Sequence, residues 1–379
     1  YDHLAPMSTD NYILGTNGGL LHYGYKPDNI KRDDLSWEKN QMINAGIDLQ
    51  MFDGYIGFSV DYYNTNTSNM LLYVPVPLLT GYSTSLQNLG KVNNRGWELA
   101  LTSQHTFTNG FGYSFNANYA KNTNEVKELG PGNAPIISSG SVAHAYYITE
   151  VGKPIGNYYL LVQDGIFATE EDLKKYPHFD NTEVGDFRFV DVDGDGKLDL
   201  DKDRTICGNY MPKFTYGFGG KLWYAGFDMD FNFQGVYGNK ILNLNKRYLD
   251  NMEGNTNGTK IALDRWKSPE NPGSGSVNKA NRKQTGYNSR TSTWHLESGS
   301  YLRLQNLSLG YTLPRALTQK FKVEKMRVYV SGQNLFTITN YSGYNPEVNA
   351  RPSKNLTPGE DYGTYPLART YMFGLNLTL

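Results

Sequence analysis

The chain has 379 residues, a formal net charge of −1 and a single cysteine, with 30 Tyr and 40 Gly, and its mean hydropathy is −0.57. A net charge this close to zero gives the chain no long-range electrostatic attraction for nucleic acid or anionic lipid. A single cysteine cannot form an internal disulfide. No segment approaches the run of about twenty apolar residues that a membrane helix requires, whereas a transmembrane β-barrel is consistent with a polar average.

The first clear pattern is a pair of alternating segments joined at Asp53 and Gly54. Apolar and polar residues alternate from 44 to 51, and the alternation resumes from 56 to 63. Asp-Gly is a preferred turn sequence between two strands. The pattern therefore predicts a β-hairpin.

Two further pairs follow the same rule. Segments 97–102 and 111–119 flank Asn109 and Gly110, and segments 214–224 and 227–233 flank Ala225 and Gly226. The last of these segments has a polar face consisting of Asp228, Asp230, Asn232 and Gln234. Because an unpaired charge in a dry core costs several kcal/mol, this face predicts a hydrated interior.

The carboxy-terminal third supplies the remaining strands. Segments 307–313 and 326–338 are predicted strands, and two weaker candidates lie near 143–151 and 156–164. The final nine residues alternate, with Tyr371, Phe373, Leu375, Leu377 and Leu379 on one face. An apolar outer face on a terminal strand invites aggregation in water but suits a wall that faces lipid.

The connections between these strands alternate in length. Turns of a few residues alternate with loops at 66–93, 122–142, 165–212, 239–299 and 339–367. Short periplasmic turns and long extracellular loops are typical of outer-membrane barrels. The prediction is an all-β, antiparallel transmembrane β-barrel with about eleven strands in residues 1–379. Because bacterial barrels have an even number of strands, we expect an amino-terminal part outside this sequence.

The long loops contain the candidate ligand-binding residues. Trp266, Trp294, Tyr248 and Tyr344 lie in predicted loops, where aromatic rings can stack on sugars or peptide side chains. The competing interpretation is that these rings form the loops' own small cores. The sequence is compatible with both interpretations, ligand stacking and packing within the loops.

An acidic run is the one metal candidate. Asp191, Asp193, Asp195, the carbonyl of Lys197 and Asp199 match the first nine positions of an EF-hand-type loop. Lys202 occupies the twelfth position, so Asp203 is the displaced acidic ligand. The run predicts either a structural Ca²⁺ site or a solvated turn whose carboxylates accept backbone N–H groups.

No catalytic pattern is evident. The six histidines have no metal-ligand spacing, and neither a phosphate loop nor a nucleophile elbow occurs. We therefore expect no enzymatic activity and no cofactor apart from Ca²⁺.

A series of ordered segments resembles the SusC/RagA family of TonB-dependent outer-membrane transporters. The segments are Gly152 to Gly156, Asp164 to Phe167, Asp191 to Asp199, Arg204 to Ile206 with Gly208, Pro212 to Phe218, Ser300 to Pro314 and Val328 to Phe336. The final strand also resembles the carboxy-terminal assembly signal of outer-membrane barrels. The series identifies the chain as the carboxy-terminal half of such a barrel.

The resemblance implies a barrel of about twenty-two strands in the bacterial outer membrane. It also implies an upstream plug domain, energy from the TonB-ExbB-ExbD complex, and a SusD-like surface lipoprotein in a dimer of transporter-lipoprotein pairs. The cargo would be an oligosaccharide, with a peptide as the alternative. Two other classes stay open from the residues: a surface adhesin or assembly platform anchored by the barrel, and a soluble glycan-binding sandwich.

Overall fold

The structure, a computed structural model, describes residues 6–15, 19–82, 84–254, 256–283 and 286–379. The first ten strands are β1 (Met7–Leu14), β2 (Leu20–Pro27), β3 (Lys39–Met51), β4 (Ile56–Pro75), β5 (Thr84–Thr106), β6 (Gly112–Glu128), β7 (Ile136–Ser139), β8 (Tyr146–Thr149), β9 (Asn157–Leu161) and β10 (Gln163–Ile166). The next ten are β11 (Phe187–Phe189), β12 (Arg204–Ile206), β13 (Phe214–Tyr224), β14 (Phe227–Tyr237), β15 (Lys240–Asn243), β16 (Leu296–Ser298), β17 (Tyr301–Thr312), β18 (Lys325–Thr339), β19 (Glu360–Asp361) and β20 (Thr370–Thr378).

Helices are few and short. The α-helices are α1 (Glu170–Lys175), α2 (Lys246–Leu249) and α3 (Arg315–Thr318). The 3₁₀ helices are Leu78–Thr80, Pro131–Asn133, Lys260–Asp264, Thr293–His295 and Gln319–Phe321. Within the described ranges, no helix combines the length and the apolar character needed to cross a bilayer.

One large antiparallel sheet, here called the wall, dominates the molecule. Its nine strands lie in the order β3-β4-β5-β6-β13-β14-β17-β18-β20, and the described part of the sheet remains open. Strands β1 and β2 form a separate hairpin. The nine strands of the wall were all predicted, whereas the hairpin β1-β2 was not. The two weak candidates became β8 and β9, which lie outside the wall.

The register of the wall aligns apolar side chains in rows across the strands. One row crosses eight strands through Leu49, Phe58, Leu101, Ala117, Phe218, Phe233, Leu304 and Phe336. A β-bulge between Leu304 and Asn306 maintains the alignment of the apolar row between β17 and β18. Asn334, opposite the bulge, adopts a φ of +54°. Since side chains alternate along a strand, the row fixes one face of the wall as apolar.

Connection lengths also follow the prediction. The turns at 52–55, 107–111 and 225–226 and the connector 313–324 lie at one end of the wall, and the connections 76–83, 129–213, 238–300 and 340–369 lie at the other. The predicted difference in length between the two ends is thus observed for most connections, but the connector 313–324 at the first end is longer than the connection 76–83 at the other.

The predicted loop at 66–93 is wrong, because most of it extends β4 and β5 beyond the other strands. Asn93 donates side-chain hydrogen bonds to Asn64 (2.6 Å) and Asn66 (2.9 Å) across the two strands. Polar pairing stabilises strands that stand in water, and it removes the apolar alternation on which the prediction depended.

Three small sheets form a second region, here called the loop layer, from residues 129–213, 238–300 and 340–369. Their strand orders are β12-β9-β8-β7, β16-β15-β19 and β10-β11. Tyr147, Tyr158, Phe167, Phe187 and Leu242 are almost completely buried there. Among the described residues, most of the largest buried side chains therefore lie in the loop layer, and a further buried cluster joins Leu72, Val92 and Val126 at the extended ends of β4, β5 and β6.

Candidate functional site

Aromatic side chains on the apolar face of the wall form two belts. Near the loop layer, Tyr62 and Trp97 have ring centroids 4.8 Å apart, and Phe214 lies 5.3 Å from Tyr119 and 5.0 Å from Tyr237. Tyr and Trp concentrate at membrane-water interfaces because their rings are apolar and their tips polar. We call this group the outer belt.

The inner belt lies near the short turns. His105 stacks edge-on against Tyr55 at 4.5 Å, and Phe227 lies 4.5 Å from Tyr311. On β14, Phe227 and Tyr237 mark the two ends of an 11-residue strand. A tilted strand of about 9 to 11 residues spans the hydrocarbon core of a bilayer, so the distance between the belts suits a membrane.

Between the belts, the apolar face is open. Ile47 is 63 %, Leu309 47 % and Phe373 86 % exposed. These side chains point away from the interior, as the alternation predicted, and they do not meet in a closed dry centre. The apolar face is therefore available to lipid.

The opposite face of the wall is polar and hydrogen-bonded. Arg327 donates two hydrogen bonds to Asp228 (2.9 and 2.5 Å), and Asn306 donates to Asp230 (3.4 Å). Fork-shaped guanidinium-carboxylate pairs are strong and directional. This lumenal face holds charge in pairs that a hydrated interior tolerates.

One lumenal cluster joins the wall to the loop layer. Arg303 on β17 is 3 % exposed and pairs with Glu347, which comes from the loop segment 340–369. Arg303 also donates to Asn345 (2.8 Å) and to Thr337 (2.9 Å). The loop segment is thereby held over the lumen.

Inside the loop layer, buried polar groups join segments that are distant in sequence. Glu360 is fully buried and accepts hydrogen bonds from the Ser141 amide and the Tyr147 hydroxyl, each at 3.1 Å. The Tyr158 hydroxyl donates to the Gly359 carbonyl (2.9 Å). Burial, followed by the charges of Tyr158 and Glu360, raises the pKa of Tyr147. Satisfied networks of this kind specify one arrangement of the loops.

A second buried cluster surrounds His295. The ring is fully buried, and its Nδ1 accepts a hydrogen bond from the Ser292 amide (3.2 Å). Burial and then the nearby Lys246 and Arg247 lower the pKa of His295 to about 3. The histidine is therefore neutral at physiological pH.

The four predicted ligand-binding aromatics do not converge on one point. Trp266 and Trp294 both pack against the buried cluster that contains Phe187, and Trp294 also carries the Lys246 ammonium 4.1 Å from its ring. Tyr248 is 43 % and Tyr344 82 % exposed. The two tryptophans pack within the loop layer, whereas the two tyrosines are exposed, Tyr248 with its ring 6.0 Å from that of Tyr362. Their role in ligand binding stays a prediction.

A polar cleft of about 850 Å³ lies beside α1 and the acidic run. Lys174, Tyr176 and His178 line one side, and Leu198 and Tyr287 line others. The sequence did not reveal this cleft because its walls come from separate segments without a shared pattern.

The acidic run forms a compact loop. Oxygen atoms of Asp191, Asp193 and Asp195 lie within 4.8 Å of one another. Asp203 instead accepts backbone hydrogen bonds from Val192 (2.8 Å) and Asp199 (2.6 Å), and it is 1 % exposed. Three of the predicted ligands thus fit a hard cation with oxygen ligands, while Asp203 closes the loop.

The remaining predicted ligands also take part in backbone hydrogen bonds. The Lys197 amide donates to Asp195 (2.9 Å). Asp199 accepts from the Asp201 and Lys202 amides at 2.6 and 3.2 Å, which lowers its pKa. The geometry is compatible with both predicted interpretations, a cation site and a solvated acidic turn.

Comparison with known proteins gives concordant matches. The family described as "TonB dependent receptor-like, beta-barrel" matches residues 4–335. TonB-dependent receptor P3 of Formosa agariphila is 33 % identical, with 100 % of this chain and 37 % of that protein covered. TonB-dependent receptor SusC of Bacteroides thetaiotaomicron is 27 % identical, with 95 % and 34 % covered.

Solved structures agree. The RagAB peptide transporter superimposes with a TM-score of 0.76 at 26 % identity, covering 100 % of this chain and 39 % of that one. The RagAB peptide importer in its open-open state gives 0.76 at 25 % identity, covering 100 % and 38 %. The chain thus spans somewhat over a third of the length of the proteins it matches.

Proposed function

The chain belongs to the TonB-dependent receptor β-barrel family of the bacterial outer membrane, and from that premise we propose that it serves in active import of a nutrient. The observation that carries the proposal is the two-sided wall, which has an apolar face toward lipid and a polar face toward a lumen. The loop layer covers the extracellular end of that lumen. Members of this family are transporters rather than enzymes, and we propose no catalytic step for this chain.

We propose that an amino-terminal part of the protein completes the barrel. The chain corresponds to 37 % of the length of its 33 % identical relative, which leaves room for further strands and a plug domain. Contact with the TonB-ExbB-ExbD complex would belong to that part. The lumenal pairs around Asp228 and Arg303 would then face the plug.

The proposed partner at the extracellular mouth is a SusD-like lipoprotein. SusC and RagAB are among the similar proteins, and the loop layer presents a structured surface at this end of the wall. We propose a dimer of transporter-lipoprotein pairs as the assembly.

For the cargo we propose an oligosaccharide. Exposed Tyr248 and Tyr344 offer ring faces in the loop layer, and sugars stack on such rings. The second candidate is a peptide, which the similarity to the RagAB peptide transporter and importer favours.

Uptake by cells that lack the gene tests import itself. We expect growth on one class of oligomer to be lost and to return with the full-length gene. Unchanged uptake of every glycan and peptide offered would contradict the proposal and favour the adhesin alternative.

Ring substitutions test the cargo site in the full-length transporter with its lipoprotein. Y248A/Y344A should weaken binding of the imported oligomer about tenfold, since stacking contributes about 0.5 to 1 kcal/mol for each ring. L263A removes an exposed apolar side chain from the same layer and serves as the control. Equal affinities in the two variants would remove these tyrosines from the site.

We also propose that the acidic loop binds a structural Ca²⁺ through Asp191, Asp193, Asp195 and the Lys197 carbonyl. Calcium at about 100 times its Kd should stabilise the loop layer by about 2.7 kcal/mol. D193N should abolish this stabilisation, whereas D180N, which alters a nearby exposed carboxylate, should retain it. No calcium-dependent shift in the unmodified protein would show a solvated turn instead.

A further inference from the structure

A notch interrupts the wall beside the outer belt, between β6 and β13. The last paired residues of these two strands are Ala120 and Thr215, although β6 continues to Glu128. Farther along β6, the Val126 amide donates to the Lys153 carbonyl (2.9 Å), so another segment then takes the place of β13. Between these points lies a cleft of about 620 Å³.

Three lysines converge on this cleft from three separate segments. Lys121 is on β6, Lys213 precedes β13, and Lys240 begins β15. All three are exposed. Within the described ranges, none of them lies within the 4.0 Å ion-pair distance of a carboxylate, and no Asp or Glu lines the cleft. Three unpaired positive charges therefore face one space.

The stems of two of these lysines are held by neighbouring backbone. A Cβ built on Gly238 would lie 2.6 Å from Cγ of Lys213, and one built on Gly208 would lie 3.2 Å from Cγ of Lys240. Close approach to glycine restricts the side chains before any ligand arrives. Such restriction lowers the entropy lost on binding.

The cleft opens beside the lipid face of the wall. Tyr119 and Lys121 lie on the face that carries the apolar rows, and Lys121 pairs in register with Trp97 of the outer belt. The rings of Tyr119 and Phe214 line the cleft on this face, 5.3 Å apart. Lys121 thus lies where the outer-belt rings mark the surface of the bilayer, and Lys213 and Lys240 line the same cleft from the notch between the strands.

We propose that this lysine cleft binds the phosphate of a lipid headgroup in the outer leaflet. Ammonium groups bind phosphate as point charges, and clustered lysines beside a membrane attract anionic headgroups. The aromatic floor contacts the first carbons of the acyl chains while the lysines contact the phosphate. This inference depends on the membrane location of the wall and is independent of the cargo proposed above.

The test uses the full-length transporter in detergent and measures lipid retention by native mass spectrometry. The probes are diphosphorylated lipid A, its dephosphorylated form, phosphatidylglycerol and inorganic phosphate. The wild-type protein should retain diphosphorylated lipid A at least about tenfold better than the dephosphorylated form. Equal retention of the two forms would overturn the proposal without the need for any variant.

Substitutions locate the site. K121Q/K213Q/K240Q should reduce retention of diphosphorylated lipid A at least about tenfold, and K121R/K213R/K240R should restore most of it. K260Q/K267Q/K354Q removes three exposed loop lysines and should change retention less than about twofold. A loss in both glutamine variants would show a general charge effect and contradict a built site.

The remaining probes separate the sources of the phosphate. Competition by phosphatidylglycerol at similar concentration would support a headgroup site that is not selective for one lipid. Full displacement by millimolar inorganic phosphate would show an adventitious ion only and would overturn the proposal.

Discussion

The wall and the loop layer contain the same apolar residue types, but these side chains are exposed in the wall and buried in the loop layer. In the wall, Phe227 is 64 % and Leu375 55 % exposed, because the bilayer supplies the apolar partner. In the loop layer, Phe187 is 2 % and Tyr158 0 % exposed, because water surrounds these loops and the protein must supply its own core. Whether an aromatic side chain of this chain is exposed or buried therefore depends on whether lipid or water surrounds it.

The largest expected effect is in the loop-layer core. F187A removes a ring that lies 5.2 Å from Trp294 in the cluster with Phe179 and Phe189. We expect a loss of about 3 to 5 kcal/mol of local stability. Hydrogen exchange of the full-length protein should accelerate in β10 and β11 while β13 and β14 stay protected. Equal acceleration in both regions would contradict the separation of the loop-layer core from the wall.

The next effect is in the wall. L222R and F231R each place a charge on the lipid face and should cost about 2 to 4 kcal/mol, as measured by denaturant unfolding in lipid. D230N, which changes the adjacent lumenal side chain, should stay within about 0.5 kcal/mol of the wild type. If the two faces proved equally sensitive, the assigned orientation would be wrong.

The contact between the two regions should contribute less to stability than the loop-layer core or the lipid-facing side chains of the wall. R303Q removes the guanidinium that holds Glu347 and Asn345, and it should cost about 1 to 3 kcal/mol. Limited proteolysis should then cut within 340–369 sooner than in the wild type. The matched variant E347Q keeps a hydrogen-bond acceptor and should show a smaller change. Identical digestion of R303Q and wild type would exclude this tether.

Acid should loosen the loop layer while sparing the wall. Since burial lowers the pKa of His295 to about 3, the unfolded histidine takes a proton below about pH 6.5 while the folded one remains neutral. Stability is therefore complete above about pH 6.5 and falls by about 1.4 kcal/mol for each pH unit below it. Burial and Arg290 lower the pKa of His144 to about 4, which adds an effect of the same sign.

Glu253 acts in the opposite direction, because burial raises its pKa. Hydrogen-exchange protection should therefore be measured from pH 7.5 to pH 5.5 in each variant, and the slopes against pH should be compared between variants. H295Q should flatten this slope in the loop layer, and H178Q, which changes an exposed histidine, should not. A slope unchanged by H295Q would show that His295 titrates normally.

The wall was predictable because its rule is local. The adjacent residues Phe227 and Asp228 already show the alternation of apolar and polar side chains, and Gly226 marks the turn before them. The rule failed at the polar extension of β4 and β5 around Asn93, where lipid no longer imposes it, and the sequence analysis did not identify the hairpin β1-β2.

The loop layer was unpredictable because its contacts are distant. The amide of Ser141 donates to the buried carboxylate of Glu360 across 219 residues, and no local period marks either residue. The lysine cleft likewise brings together Lys121, Lys213 and Lys240 from segments that are distant in sequence. The net charge of −1 had indicated no affinity for anionic lipid. The four loop aromatics were visible as residue types, but their division into two packed tryptophans and two exposed tyrosines required coordinates.

The central claim is that one face of each wall strand meets lipid and the other meets water. Spin labels placed singly from 227 to 234 on β14, after Cys207 is replaced by Ser, test it in the full-length transporter in bilayers. Labels at Phe227, Met229, Phe231 and Phe233 should collide preferentially with oxygen, and labels at Asp228, Asp230, Asn232 and Gln234 with a water-soluble nickel chelate. A profile without this two-residue period, or one with the faces reversed, would contradict the account.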